Sequence, residues 1–381
     1  MKTITKTSSF RNQTQPGVLY VDKTEYLYKL SKLDGIFYSL SRPRWFGLSQ
    51  LLDSLELMYR GEKDAFTDLR ICETDYGWEK HPVIRLDLSI CGYRTPLDMQ
   101  SFLSHKITEE AEQYGISAGR TLDFRELCST VIAKLSQLNK VVVLIDEADT
   151  PLRLNAGSRD IDEYVEVYKD LFSAILSAGN ALQLCLIVST TPLSRKRFCP
   201  ALNDFTDLTF SDEFASICGC TQNELEKNYA EYVGIGCSES GLCHSAYIEK
   251  VKEWFGGYRF SPNGESVYHP GFLASFFQDG GTSFQDYWLL LGSIVRTLKE
   301  KAKAHDFTAA SKFYISQQDL QDADIVNLMS PVNEETNIVR LFYYYGYLTI
   351  KDAVCGKGDY LLTLGFTNSG MKESFCELLT E

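Results

Sequence analysis

The chain has 381 residues, room for about two or three domains with substantial cores. It is 44% hydrophobic and 23% charged, with a formal net charge of -13. That acidity argues against broad, sequence-independent nucleic-acid binding, and no apolar run approaches the roughly 20 residues that a membrane span requires.

The opening "MKTITKTSSF" lacks the apolar core of a secretory signal. The 11 cysteines are irregularly spaced, and several lie in apolar runs such as "LQLCLIV", which suits buried thiols in a reducing, cytoplasmic setting. "CGC" at 218–220 and the Cys237/Cys243 pair beside His244 lack the paired CxxC spacing of a zinc site. From residue 20 to 210, short apolar strands alternate with helical stretches, which predicts a parallel α/β sheet. "TEYLYKLSKL" (24–33) has helical spacing, with Asp22 or Thr24 available to cap it. "IFYSL" (36–40) reads as a strand and "LSQLLDSLELMYRG" (48–61) as a helix ending at Gly61. "PVIRLDLS" (82–89) predicts a strand, and helices over about 97–114 and 120–138 fill the crossover. "KVVVLIDEAD" (140–149) is a strand with five consecutive apolar residues ending in acids. A helix (162–179) and a buried strand (182–190) complete the core.

Beyond residue 210 the pattern is mainly helical. "TQNELEKNYAEYV" (221–233) opens with a capping box, Thr221 with Glu224. Residues 256–270 read as a turn-rich hairpin around "PNG". The last 45 residues or so predict helix, strand, turn, strand and helix, resembling a winged-helix module. The expected organisation is a core over 1–210, a helical connecting region over 211–330 and a winged-helix-like module over 331–381.

Two strings carry chemistry. Carboxylates at the end of a buried parallel strand, here Asp146 and Glu147, face the crevice where open α/β sheets bind ligands. "SRPRWFGLSQ" (41–50) lies between a strand and a helix, where a phosphate-cradling loop G-x-x-x-x-G-K-[ST] would sit. Arg42 stands at the first Gly position, Gly47 at the second, Leu48 at the Lys position and Ser49 at the hydroxyl position. Two of the four defining residues are therefore missing.

"YVDKTEYL", "SRPRWFG.S", "HPVIRLDLS", "VVVLIDEADTPL", "ALNDFTDLTFSDEFASICGCTQNELE", "GYRFS....VYHP" and "YYYGYLTI" occur in this order. Together they resemble the bacterial AAA-ATPase-like family of P-loop NTPases, whose members often carry a C-terminal PD-(D/E)XK-type nuclease. The resemblance spans roughly 17–379 and implies the ATPase half alone, with a parallel sheet of the additional-strand type. The family's loop typically reads RPRRFGKS, so Arg42 is a family trait, whereas Trp45 and Leu48 are departures of this chain. By the same resemblance, Gly47 and Ser49 belong to a phosphate loop binding ATP. Asp146 and Ser49 would hold Mg²⁺, with Glu147 as general base. Ser189 or Thr190 would sense the γ-phosphate, and Arg195 or Arg197 would act as an arginine finger. "YVDKT" (20–24) resembles a segment that lies near the adenine in related ATPases.

Leu48 weakens this set. Loss of one charge-assisted contact worth about 1.5–3 kcal/mol costs roughly 10- to 150-fold in affinity. Lost transition-state stabilisation would cost about two or three further decades in rate. Backbone N–H groups of residues 45–49 and the helix dipole would remain. The expectation is weak nucleotide and Mg²⁺ binding with slow or absent hydrolysis, in a switch or scaffold that acts through a protein partner or as a homo-oligomer. The alternatives are an active ATPase using Arg42 or Arg44 as substitute cation, or a module whose winged end binds protein or, less favoured, nucleic acid. The basic residues of that end, among them Lys351, Lys357 and Lys372, are few.

Overall fold

The computed structural model describes residues 1–5, 9–90, 94–117, 123–198, 202–285, 287, 294–303, 312–329, 335–356 and 358–380. Lys357 and the first residues of the expected 120–138 helix lie outside these. The N-terminal part runs α1 (Phe10–Gln13), α2 (Thr24–Ser31), β1 (Phe37–Ser41), α3 (Leu48–Tyr59) and β2 (Val83–Asp87). It continues with α4 (Pro96–Glu112), α5 (Phe124–Leu135), β3 (Val141–Asp146), α6 (Thr150–Asn155), α7 (Ile161–Ala178), β4 (Leu182–Ser189) and β5 (Thr206–Asp207).

These five strands form one parallel sheet in the order β2-β3-β4-β1-β5. Strand β4 therefore lies between β1, which feeds the 42–47 loop, and β3, which ends in the acids. That is the strand order the additional-strand reading requires. Strand β3 is apolar from Val141 to Ile145, in keeping with a strand covered on both faces. Val141, Val143 and Ile145 join a cluster with α4, α5 and α7, whereas Val142 and Leu144 join one with α2 and α3. Two 3-10 turns, Lys63–Phe66 and Arg70–Glu73, fill the α3–β2 connection without a signal in the apolar pattern. Asp22 organises the α2 entry, accepting from Thr24 N at 2.9 Å and Arg70 N at 2.8 Å.

The C-terminal half contains α8 (Gln222–Asn228), α9 (Ala230–Ser240), α10 (His244–Phe255), α11 (Pro270–Gln278), α12 (Ile294–Lys303) and β6 (Phe313–Ser316). There follow α13 (Gln317–Gln321), α14 (Ile325–Met329), α15 (Glu335–Tyr344), β7 (Leu348–Cys355), β8 (Tyr360–Phe366) and α16 (Ser369–Thr380). The expected 221–233 helix opens with the Thr221/Glu224 capping box but divides at Tyr229 into α8 and α9. Residues 256–270 form two antiparallel bridges, Tyr258 with Val267 inside the segment and Tyr268 with Cys220. An antiparallel sheet of order β6-β8-β7 forms the end, and β6 lies upstream of residue 331, so the sheet spans both sides of that expected boundary. One apolar cluster runs from Tyr229 and Phe276 through Leu298 and Phe342 to Phe375. Among the described residues, no helix is long and apolar enough to cross a membrane.

The two halves meet at the loop after β1. Phe46 is 1% exposed and packs against the rings of Tyr258 and Phe260, with centroids 5.1 and 5.2 Å away. Gly346, at φ +81°, lies so close to Pro43 that an added Cβ would come within 3.3 Å of its ring. The central position of β3 sets the expected cost of a cavity. Leu144→Ala should destabilise the protein by about 2–5 kcal/mol in denaturant unfolding, because Leu144 is fully buried between rigid layers.

Candidate functional site

Strand β1 ends at Ser41, and its line continues as Arg42 N donates to Ser189 O at 3.2 Å. The chain then turns sharply. Trp45 has φ +63° and Gly47 φ +96°, and Gly47 is the N-cap of α3 with no side chain capping the helix. A left-handed residue at this point suits glycine, and it leaves the first N–H groups of a 12-residue helix without a side-chain acceptor.

A residue from far along the chain braces this loop. The His269 ring lies 3.0 Å from the Arg44 carbonyl through Nε2, and its Nδ1 accepts from Phe272 N at 3.2 Å, capping α11. Those two bonds require the neutral imidazole with its proton on Nε2. The ring is stacked on Phe272 at 3.7 Å and meets the edge of Phe46 at 4.6 Å. Complete burial pushes its pKa down to about 3. Gly271 matters for a different reason: a Cβ there would stand 2.9 Å from Trp45 Cβ, so the loop and α11 touch only because this position has no side chain.

The acids face the loop. The Ser49 side chain lies near enough to the Asp146 carboxylate to lower its pKa, which brings the start of α3 beside the acidic end of β3. Asp146 is 2% exposed; its Oδ1 accepts from Glu147 N at 3.0 Å and its Oδ2 from Arg85 Nη2 at 2.6 Å. Burial raises its pKa, while Arg85 and then Ser49 pull it back. Glu147 follows with φ +50°, a strained backbone for a non-glycine residue. Its Oε2 accepts from the Thr150 hydroxyl at 3.0 Å. Burial pushes the Glu147 pKa up to about 7, Asp149 adds to the shift, and the Arg44 charge opposes it.

Asp149 was not singled out in the sequence, yet it fixes the next strand end. Fully buried, it accepts from Thr190 N at 3.1 Å, Thr191 N at 3.3 Å and the Thr191 hydroxyl at 2.9 Å. Thr190 borders the cleft, whereas the Ser189 hydroxyl turns to Ser41 at 3.3 Å. A cavity of about 450 Å³ joins these parts. Gly47, Ser49, Glu147 and Thr190 line one end, and Tyr20 and Val21 from the "YVDKT" segment line another part.

Three of the arginines singled out in the sequence make structural contacts. Arg42 borders the cavity but is 1% exposed, and its guanidinium donates to the carbonyls of Ser41, Thr209 and Phe214 while stacking on Phe260 at 4.2 Å. A side chain so engaged is a structural clamp, not a mobile substitute cation. Arg195 donates to Phe205 O at 2.9 Å, and Arg197 pairs with Asp324 at 2.8 Å, tying the β4 loop to α14; neither lines the cavity. Arg44 remains within electrostatic reach of Glu147. Leu48 is half-buried and packs against the apolar cluster over α3, so the Lys position holds no charge.

For Mg²⁺, the oxygen donors of Ser49 and Asp146 are the right chemistry and lie near one another, although both carboxylate oxygens are already bonded. His269 and Arg85 escaped notice as site residues although both stand in quoted motifs, "VYHP" and "HPVIRLDLS". Nothing in either string says that it folds back on residues 44 or 146.

A glycine-ended loop, acids on β3 and β4 between them define the framework of a P-loop ATPase fold. A family model described as Predicted AAA-ATPase matches residues 5–198, and the chain belongs to this AAA-ATPase-like family. It is 26% identical over 337 residues to an uncharacterized protein in the vnfD 5' region of Azotobacter chroococcum mcd 1, covering 87% of this chain. The chain spans 60% of that relative's length. The Walker-type ATPase PABY2304 of Pyrococcus abyssi superposes with a TM-score of 0.47 at 13% identity, over 96% of this chain and 97% of that one.

Glu147 should titrate near pH 7 in the unliganded protein. An acid whose pKa rises on folding binds more protons folded than unfolded, so this group's contribution to stability falls as pH rises from about 4.3 to 7. The melting temperature of Glu147→Gln relative to wild type should therefore climb between pH 5 and pH 8, by thermal unfolding. Arg44→Met should widen that gap by removing the opposing charge. For His269 the sign is reversed: its contribution is intact above the unfolded pKa of about 6.5 and declines as pH falls toward 3. His269→Gln should flatten the stability profile over that window.

Proposed function

We propose that the cleft binds the phosphates of a nucleotide such as ATP weakly, with slow or absent hydrolysis, and that the protein acts as a nucleotide-responsive switch or scaffold. The observation that carries this reading is the single cavity lined by Gly47, Ser49, Glu147 and Thr190, with Ser49 beside Asp146 and the uncharged Leu48 on the same wall. In this reading the α3 N-terminus and loop N–H groups receive the phosphates. Mg²⁺, when bound, would supply charge neutralisation from Ser49 and Asp146. Glu147, protonated near neutrality in the unliganded cleft, would have to ionise before it accepts a proton from water. Without the Lys ammonium, growing phosphate charge lacks its usual partner, which favours binding over turnover.

The second reading is turnover assisted by Arg44. Its support is that this side chain, unlike Arg42, has its charge acting on Glu147. The guanidinium is planar and longer in reach than an ammonium, so the replacement would be partial.

We read the C-terminal module as winged-helix-like, extending upstream to α12 and β6. Its support is the helix–strand order together with the β6-β8-β7 pairing. Packing against the rest of the chain is favoured over nucleic-acid binding. Tyr343 stacks on Phe210 at 6.0 Å, and Lys351 Nζ donates to Thr367 O at 2.9 Å.

Isothermal titration of ATP into wild type and Leu48→Lys tests the proposal. Restoring the ammonium should tighten binding by roughly 10- to 150-fold, the size of one charge-assisted contact. Steady-state phosphate release by wild type that vanishes in Glu147→Gln, and in Arg44→Ala, would replace the first reading by the second.

A further inference from the structure

Arg85 stands on β2 in register with Leu144 of β3, next to the acidic strand end. Its side chain is 15% exposed and its Nη2 reaches Asp146 Oδ2 at 2.6 Å, a short charge-assisted bond. The other Asp146 oxygen receives Glu147 N, and the Ser49 side chain lies beside the same carboxylate. Thus the carboxylate expected to share a divalent cation with Ser49 already has a cation of the protein's own. Arg85 Nη1 is buried without a hydrogen-bond partner. The guanidinium is therefore not held by a hydrogen-bond network of its own. A buried cation is tolerated here because Asp146 matches its charge. Arginine cannot shed its proton to relieve the conflict if a metal arrives. A divalent ion at Asp146 would set two positive charges side by side unless the arginine moved away.

The neighbouring acids sharpen the point. Asp87 is in register with Asp146 across β2 and β3, and Glu147 follows at once. Without Arg85, three carboxylates and one hydroxyl would crowd the adjoining strand ends, a donor set suited to a hard divalent cation. The residue that decides between these two states is Arg85.

We infer that Arg85 is a built-in counter-ion that competes with Mg²⁺ for Asp146, so that the cleft takes the phosphates of a nucleotide without needing a divalent cation. The inference rests on the nucleotide-binding reading given above and adds its cofactor requirement. It makes Arg85 a specificity-determining residue: the phosphates meet the α3 N-terminus and Arg44, while the metal position is satisfied internally.

The experiment has one arm with the metal alone and one with ATP. Mn²⁺, followed by electron paramagnetic resonance without nucleotide, should bind Arg85→Met at least about tenfold more tightly than wild type, whereas Arg85→Lys should remain close to wild type. In isothermal titration, wild type should bind ATP in EDTA and in Mg²⁺ with affinities within about threefold, and Arg85→Met should become Mg²⁺-dependent by about tenfold or more. Wild type binding Mn²⁺ as tightly as Arg85→Met, or losing ATP in EDTA, would overturn the inference. The wild-type EDTA comparison needs no variant, so it decides even if Arg85→Met does not fold. If no protein binds ATP under any condition while Arg85→Met gains Mn²⁺, the nucleotide reading fails and the competition between Arg85 and the metal stands.

Discussion

A carboxylate buried at the end of a fully covered strand must have its charge met, and much of the site follows from how Asp146 satisfies that demand. Water is excluded at 2% exposure, so the compensation comes from Arg85 and the Glu147 N–H, with the Ser49 side chain close by. The Ser49 side chain stands beside this carboxylate at the start of α3. The Arg85 contact joins β2 to β3 at the same point. Loop, acid and cavity are thereby one construction, held by a few polar bonds on an apolar sheet.

The second half of the chain supports the phosphate loop from behind. His269 bonds the Arg44 carbonyl and caps α11 with its other nitrogen, a pair of contacts that only a neutral imidazole makes. Phe46 fills the aromatic pocket formed by Tyr258, Phe260 and His269. Arg42 locks its forked donors onto carbonyls from residues 41, 209 and 214. The loop is accordingly rigid scaffolding on one side and open to the cavity on the other. That arrangement suits a preformed anion cradle and leaves Arg44 as the loop cation facing the acids.

The two parts of the C-terminal half share one core, and this changes how the helical stretch and the terminal sheet relate. Strand β6 pairs with β8 across the expected boundary at 331, and Phe342 and Phe375 belong to the same cluster as Tyr229 and Phe276. Arg197 extends the connection by pairing the β4 loop with Asp324, which precedes α14.

Much of the fold was legible because apolar periodicity reports burial directly. The run in "VVVLID" marks a strand covered on both faces, the spacing of Leu residues over 48–59 marks a one-sided helix, and Thr221 with Glu224 marks a helix start. These are local properties, so sequence alone determined the parallel α/β core, the loop position and the charge missing at Leu48. Partnership between distant residues is not local. Whether an arginine is a free cation or a clamp depends on which carbonyls and carboxylates the fold brings within about 3 Å, a distance set by packing rather than by neighbours in the chain. Only the tertiary structure could turn Arg42, Arg195 and Arg197 into structural ties, place His269 behind the loop and bring Arg85 against Asp146.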